Sequence, residues 1–307
     1  MHFADRLYNR ITAVNSRVVV GLDPDPARVF CKNSLLSQAF PNKSPGQLLE
    51  AFCNLVIEAS GAFACAIKPQ SAFFESLGLT GLEVLSRCIR KARQMNVPVI
   101  FDAKRGDIGN TAKAYANAYL NPSSDFFADA LTVNPYLGPD TLEPFIGMAN
   151  KNKCGLFVLV KTSNPGSSAF QDLKLSEAQE EKTLSARVAQ AVAELGQSNI
   201  GQCGFSNTGA VVGATYPEDI KTLRLAMPNS IFLVPGYGAQ GGTAEDVKPA
   251  FNHEFKGAIV SSSRGIIFAY EKLPANSALK SSFEESIYQS IAEAAEKARE
   301  DINSLAS

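Results

Sequence analysis

A (β/α)8 barrel, a TIM barrel of the α/β class, is the fold this sequence predicts, and three observations predict it. Eight apolar runs of four to six residues recur along the chain, each ending in a polar or glycine-rich tip and followed by a helical pattern. The runs are continuous rather than alternating, as parallel strands buried on both faces require. Most of the tips carry chemically competent groups, and in this fold such groups gather at the carboxyl ends of the strands. A doubly wound open sheet would lose both the eight-unit count and the shared polar rim.

The elements follow in order. Phe3, Leu7, Ile11 and Val14 recur at helical spacing, which predicts a lead-in helix over 3–14. The strand runs are Arg17–Leu22, Phe63–Ile67, Val97–Phe101, Ala128–Val133, Gly155–Val160, Ala210–Gly213, Ser230–Val234 and Gly257–Val260. Their tips hold Asp23, Lys68, Asp102 with Lys104, Asn134, and Lys161 with Ser163. The last two end in Pro235–Gly242 and Ser261–Gly265. Two connections, 24–48 and 164–183, far exceed the two to six residues usual for such loops. Both are long insertions on the active-site face, readable as surface elaboration or as a rim or lid; Pro24, Pro26, Pro41 and Pro45 stiffen the first. From Ser281 onward the tail predicts a final amphipathic helix. With no linker or low-complexity stretch, 1–307 reads as one barrel domain.

Bulk properties exclude several classes. A formal net charge of −1 gives no electrostatic argument for nucleic acid or an anionic membrane surface. Apolar stretches such as Leu156–Val160 are too short to span a bilayer, and the N-terminal sequence lacks a secretory h-region, so a cytoplasmic location is expected. Six cysteines are scattered without a CxxC pair, and Cys65 in an apolar run reads as a buried thiol. Only His2 and His253 are available, so neither a zinc site nor a histidine-based triad is expected.

The stretch VPVIFDAKRGDIGNT, 97–111, concentrates the chemistry. On an extended strand Asp102 and Lys104 point the same way, and charges at a buried strand's tip are costly unless they face a wet mouth. A lysine at such a tip, Lys161 or Lys104, could form an imine, but that requires a neutral amine. An alternating cluster of Lys68, Asp102, Lys104 and Asp107 would instead keep the ammonium groups charged and suited to proton donation. A structural ion-pair network is the plainer account. Asp107 and Thr111 are four apart on one helical face, and Asp107 could equally be the N-cap of that helix. Gly236, Gly238, Gly241 and Gly242 would admit an anion close to backbone amides, with Arg264 as a two-pronged donor. Barrels commonly bind phosphate between the seventh and eighth strand loops. The plainer account is a glycine-rich turn and a surface arginine.

Asp102-Ala-Lys104-Arg-Gly-Asp107-Ile-Gly-Asn-Thr111 resembles the D-x-K-x-x-D-I-x-x-T signature of the orotidine 5′-phosphate decarboxylase family. The similarity extends through VVVGLDPDP at 18–26, AIKPQSAFFESLG at 66–78, TVNPYLG at 132–138, KTSNPG at 161–166, GAVVGATYPE at 209–218 and PGYGAQGG at 235–242. Length and inserts resemble the larger bacterial form. The resemblance implies a TIM-barrel carboxy-lyase converting orotidine 5′-phosphate to UMP without a cofactor or metal. It implies Lys104 as proton donor to C6, Asp102 against the substrate carboxylate, and Lys68 and Asp23 at the ribose hydroxyls. Asp107 and Thr111 would be presented to the neighbouring subunit's ribose, which makes a homodimer the working unit. Ser163 and Gln240 would contact the pyrimidine, with Gln240 also reaching the phosphate that Arg264 binds. Ser263 stands where the family often has glycine and could donate its hydroxyl. The alternatives are a metal-dependent sugar-phosphate aldolase or decarboxylase with the same acidic-lysine signature, and a non-catalytic barrel that binds a phosphorylated ligand.

Overall fold

The computed structural model describes residues 1–177, 180–238, 241–273 and 282–306, with backbone alone for 176, 177, 180 and 181. Eight parallel strands form the barrel: β1 (Val18–Leu22), β2 (Ala66–Pro69), β3 (Ile100–Arg105), β4 (Ala130–Val133), β5 (Gly155–Lys161), β8 (Thr208–Val212), β9 (Phe232–Val234) and β10 (Ala258–Ser262). The two intervening strands, β6 (Lys174–Glu177) and β7 (Glu180–Thr183), form a separate antiparallel hairpin. The ladder runs β2-β1-β10-β9-β8-β5-β4-β3, and the bridges Ile67 to Val99 and Gln70 to Asp102 close the circle. That seam is thin because Pro98 has no N–H to give, although its carbonyl accepts from Ile67 at 2.9 Å.

All eight expected runs become strands, with boundaries moved. The second begins at Ala66, because Gly61–Phe63 is a 3-10 turn. The third begins at Ile100 and runs on through the charges to Arg105. Before it, the Val99 N–H donates to the Asp129 carboxylate at 3.0 Å, so a side chain satisfies a group that a ladder would otherwise pair.

Two apolar layers hold the frame. One fills the space between strands and outer helices, including Phe52, Phe74, Phe145 and Ile291. The other lies inside the barrel, where Val19, Ala66, Ile100, Phe157 and Ile259 meet Phe3, Ala4, Leu7 and Ile11 of the helix Phe3–Val14. The lead-in helix therefore stoppers the amino end of the barrel, and Phe3 meets Phe157 edge to face at 6.2 Å. Inward residues from parallel strands leave this end apolar, and one amphipathic helix covers it.

The two insertions are not bare loops. Within 24–48 lie short helices at Pro26–Val29 and Leu35–Ala39, the latter packed on the final helix Phe283–Asn303. Ser282 caps that final helix, while Ser281 lies outside the described residues. Arg28 joins Glu271 and lies 3.7 Å from the Phe268 ring centroid, which ties this insertion to the end of the chain's last barrel unit. Insertion 164–183 contains the helix Ser168–Gln171 and the β6–β7 hairpin. Its strands, KLSE and EEKT, lack the apolar alternation from which a hairpin could be read.

Phe3→Ala should cost about 3–5 kcal/mol, because it empties the stopper's buried aromatic position. Chemical denaturation of the variant measures this directly, and a loss below about 1 kcal/mol would refute the closing role.

Candidate active site

The carboxyl ends of the strands surround a cleft of about 410 Å³. Asp23, Lys68, Asp102, Lys104, Ser163, Ser263 and Arg264 all line it. Leu159, Val211 and Leu233 supply an apolar wall.

At its floor Asp102 divides its two oxygens between two lysines. Lys68 donates to Oδ2 at 2.8 Å and Lys104 to Oδ1 at 2.6 Å. Gln70 adds a bond to Oδ2 at 3.1 Å, and the Thr132 hydroxyl donates to Oδ1 at 3.0 Å. Burial alone would raise the Asp102 pKa, but the two ammonium groups outweigh it and hold the carboxyl well below its ordinary range. Lys68 shows the converse. Its burial favours the neutral amine, yet attraction to Asp102 and Asp23 moves its pKa above the ordinary lysine value. Asp23 Oδ1 is buried with no hydrogen-bond partner among the described residues, a capacity to accept that the protein leaves unfilled.

Lys104 reaches Asp102 by distortion, not by simple alternation. Its φ is +49°, in the left-handed region, and the β3–β4 register slips between Phe101 and Arg105. Such a conformation costs a non-glycine residue about 1–2 kcal/mol. Neighbours hold it in place. The Lys104 N–H donates to Thr132 Oγ1 at 2.9 Å, while Arg105 donates to the Ala103 carbonyl at 3.3 Å and pairs with Glu75.

Over the opposite wall stand the β9 and β10 loops. Gly236, Gly238 and Gly241 have φ of +103°, +75° and +91°, values that suit glycine alone, so these residues set the loop's turn. Gln240 lies outside the described residues. Gly21 leaves room for the Ser263 side chain: a Cβ at Gly21 would lie 1.8 Å from Ser263 Oγ.

Several expected residues stand elsewhere. Asp107 and Thr111 are not among the residues lining the cleft; they stand respectively just before and within the first turn of the helix Gly109–Leu120. The fourfold charge cluster therefore forms as a trio within one chain. Nor is Asp107 a helix cap. Ile108 occupies that position, and Asp107 Oδ1 accepts from the Ile108 N–H at 2.8 Å, because the turn at Gly109 sets the helix one residue farther on. Lys161 is fully buried away from the cleft, between Asp172 and Asp219, so it is no imine-forming candidate. The Asn134 carbonyl oxygen of the side chain accepts from the Tyr136 N–H at 3.0 Å and shapes its own turn. Gln70 and Thr132, by contrast, carry little in the sequence to mark them. A polar residue inside the apolar run Ala128–Val133 is the signal that could have marked Thr132.

Fold and cleft together define a barrel enzyme with its charged groups gathered at the strand ends. Residues 16–279 match the family model for the orotidine 5′-phosphate decarboxylase / HUMPS family. The chain belongs to that family. It is 45% identical over 279 residues to the orotidine 5′-phosphate decarboxylase of Rhodopirellula baltica, covering 89% of this chain and 90% of that one. The enzyme of the same name from Caldicellulosiruptor bescii is 40% identical, with both chains fully covered. Among solved structures, Leishmania donovani OMP decarboxylase superposes with a TM-score of 0.73 at 30% identity, covering 99% of this chain and 98% of that one.

Asp102→Asn should destabilise the fold by about 3–5 kcal/mol at neutral pH, since it leaves a buried lysine unpaired. The Asp102 contribution is present above the ordinary carboxylate pKa and is lost as pH falls through the lowered value. The Lys68 contribution is present below the ordinary lysine pKa and is lost as pH rises through the raised value. Denaturation midpoints across pH should thus separate wild type and variant by a constant gap from about pH 5 to 9, narrowing in acid.

Proposed function

We propose that this chain is a carboxy-lyase that converts orotidine 5′-phosphate to UMP, a step of pyrimidine biosynthesis, without an organic cofactor or metal. The observation that carries the reading is the Lys68–Asp102–Lys104 trio on the cleft floor, with Lys68 and Asp102 buried and Lys104 open to the cleft, in a chain from this family. When the bond from C6 to the carboxylate breaks, carbon dioxide leaves and the electron pair stays on C6 in the plane of the ring. The ring cannot delocalise it. Decarboxylases of other kinds use a coenzyme as the electron sink. Here the Lys104 ammonium stabilises the developing charge from a fixed position, and its proton then passes to C6. Asp102 lies against the substrate carboxylate and repels it, a smaller effect than the ammonium's attraction. The apolar wall of Leu159, Val211 and Leu233 lowers the local dielectric and strengthens both interactions.

Lys68 and Asp23 hold the ribose hydroxyls, Ser163 and Gln240 the pyrimidine, and Arg264, with Ser263 and Gln240, the phosphate. Binding energy from that remote phosphate is available to hold the rim closed and exclude water. Asp107 and Thr111 serve the neighbouring subunit of a homodimer. In support, Ile108, Tyr136 and Leu137 near them are exposed, Tyr136 by 84%, and their apolar surface suits a protein partner. Among the described residues no helix is long and apolar enough to cross a membrane, and the free thiols suit a reducing cytoplasm.

Following orotidine 5′-phosphate by ultraviolet absorbance, with and without a chelator, tests the reaction: turnover should be equal in both. Loss on chelation would favour the metal-dependent alternative. Lys104→Ala should reduce turnover by at least about 10³-fold while UMP still binds, and near-normal turnover would rule out the proton-donor role. Mixed Lys104→Ala and Asp107→Ala subunits should regain part of the activity through one intact hybrid site. Absence of recovery after verified subunit exchange would count against shared sites.

A further inference from the structure

Lys161 is a buried cation that this chemistry leaves unused. It ends β5 with its side chain wholly inaccessible, at a slip in the β5–β8 register between Leu159 and Lys161. The two residues after it, Thr162 and Ser163, line the cleft; Lys161 itself does not. Its amine joins three parts of the chain. Nζ bonds to Asp172 in the insertion, lies 3.2 Å from Asp219 in the first turn of the helix Pro217–Ala226, and stands 4.8 Å from the centroid of the Tyr216 ring. Burying an ammonium in this way is costly unless it is paired, and here two carboxylates and a ring face supply the pairing.

The segment that carries Ser163 is held from both sides of this knot. On the insertion side, the Thr162 N–H donates to Gln171 Oε1 and Gln171 Nε2 donates to Thr162 Oγ1, each at 2.9 Å. Gln171 directly precedes Asp172, so the ion pair and the amide pair fasten the same short helix to the β5 tip. On the β8 side, the Gly213 N–H donates to the Lys161 carbonyl at 2.8 Å and the Thr215 hydroxyl donates to the Ser163 carbonyl at 3.1 Å. A Cβ at Gly213 would lie 2.8 Å from the Ser163 nitrogen, so the two backbones are already in direct contact there. Ser163 thus sits between an insertion and a strand tip that Lys161 joins.

We propose that Lys161 is a positioning residue for base recognition: its bonds to Asp172 and Asp219 hold the insertion and the β8 tip around Ser163 so that Ser163 meets the pyrimidine. This rests on the functional reading above, in which Ser163 contacts the base while the phosphate is held on the far wall by the β9 and β10 loops. The two parts of the ligand should therefore respond differently when the knot is cut.

Competitive inhibition by UMP and by ribose 5-phosphate, which lacks the base, measures this difference. In Lys161→Met the UMP affinity should fall about tenfold, as for a lost hydrogen bond, while ribose 5-phosphate affinity stays within about twofold. Asp172→Asn with Asp219→Asn cuts the same ties from partly exposed positions and should give the same pattern if Lys161→Met does not fold. Lys161→Arg should restore part of the discrimination. In a Ser163→Ala background, Lys161→Met should bring no further loss of the UMP preference. An unchanged ratio in a folded Lys161→Met or Asp172→Asn/Asp219→Asn protein would overturn the proposal, as would full additivity with Ser163→Ala. A wild-type chain that did not prefer UMP to ribose 5-phosphate would instead overturn the functional reading, and the positioning role with it.

Discussion

The carboxylate of Asp102 is the constraint on which the rest of the mouth depends. It gathers donors from three strands and their tips: Lys68 and Gln70 from the β2 side, Lys104 from β3, and Thr132 from β4. Lys68 also feels Asp23, so two cations face two anions there, and Arg264 leaves the cleft lining with positive charge to spare. Burying the Lys68–Asp102 pair costs more than its mutual attraction returns unless the geometry is good and every oxygen is bonded, and Lys104 reaches the pair from the open side of the cleft. Here both Asp102 oxygens are bonded. The same excess suits an anionic ligand, which approaches a surface whose field already points the right way.

The strain at Lys104 belongs to the same arrangement. A straight strand would carry its ammonium along the barrel wall; the slipped register and left-handed backbone bring it back onto Asp102. Thr132 serves both ends of that bend, accepting from the Lys104 backbone and donating to the Asp102 side chain. A conformation that costs energy at one residue is held by a hydroxyl, an arginine latch and a rigid frame of packed strands. Local strain supported by a well-packed scaffold is a recurring condition of functional sites.

Much of this was legible from residue order alone. Eight apolar runs mark the strands because parallel strands buried on both faces leave little room for anything else. The trio was legible because Lys68, Asp102 and Lys104 all fall where a strand ends. Its bond pattern was not. That pattern depends on a backbone bend which no side-chain alternation encodes, and on Thr132, whose hydroxyl is hidden within an apolar run. The position of Lys161 was equally hidden, since its partners lie 11 and 58 residues farther along the chain. The β6–β7 hairpin is illegible for another reason: its charged sequence has no apolar face and so carries no period.

The stopper formed by Phe3, Leu7 and Ile11 has a bearing on traffic through the molecule. With the amino end of the barrel sealed by apolar side chains, a bulky charged nucleotide can approach only from the opposite mouth. Whatever occupies the cleft floor has that apolar plug behind it and the polar mouth ahead of it. The barrel is thereby polarised along its axis, from a closed apolar end to an open charged one.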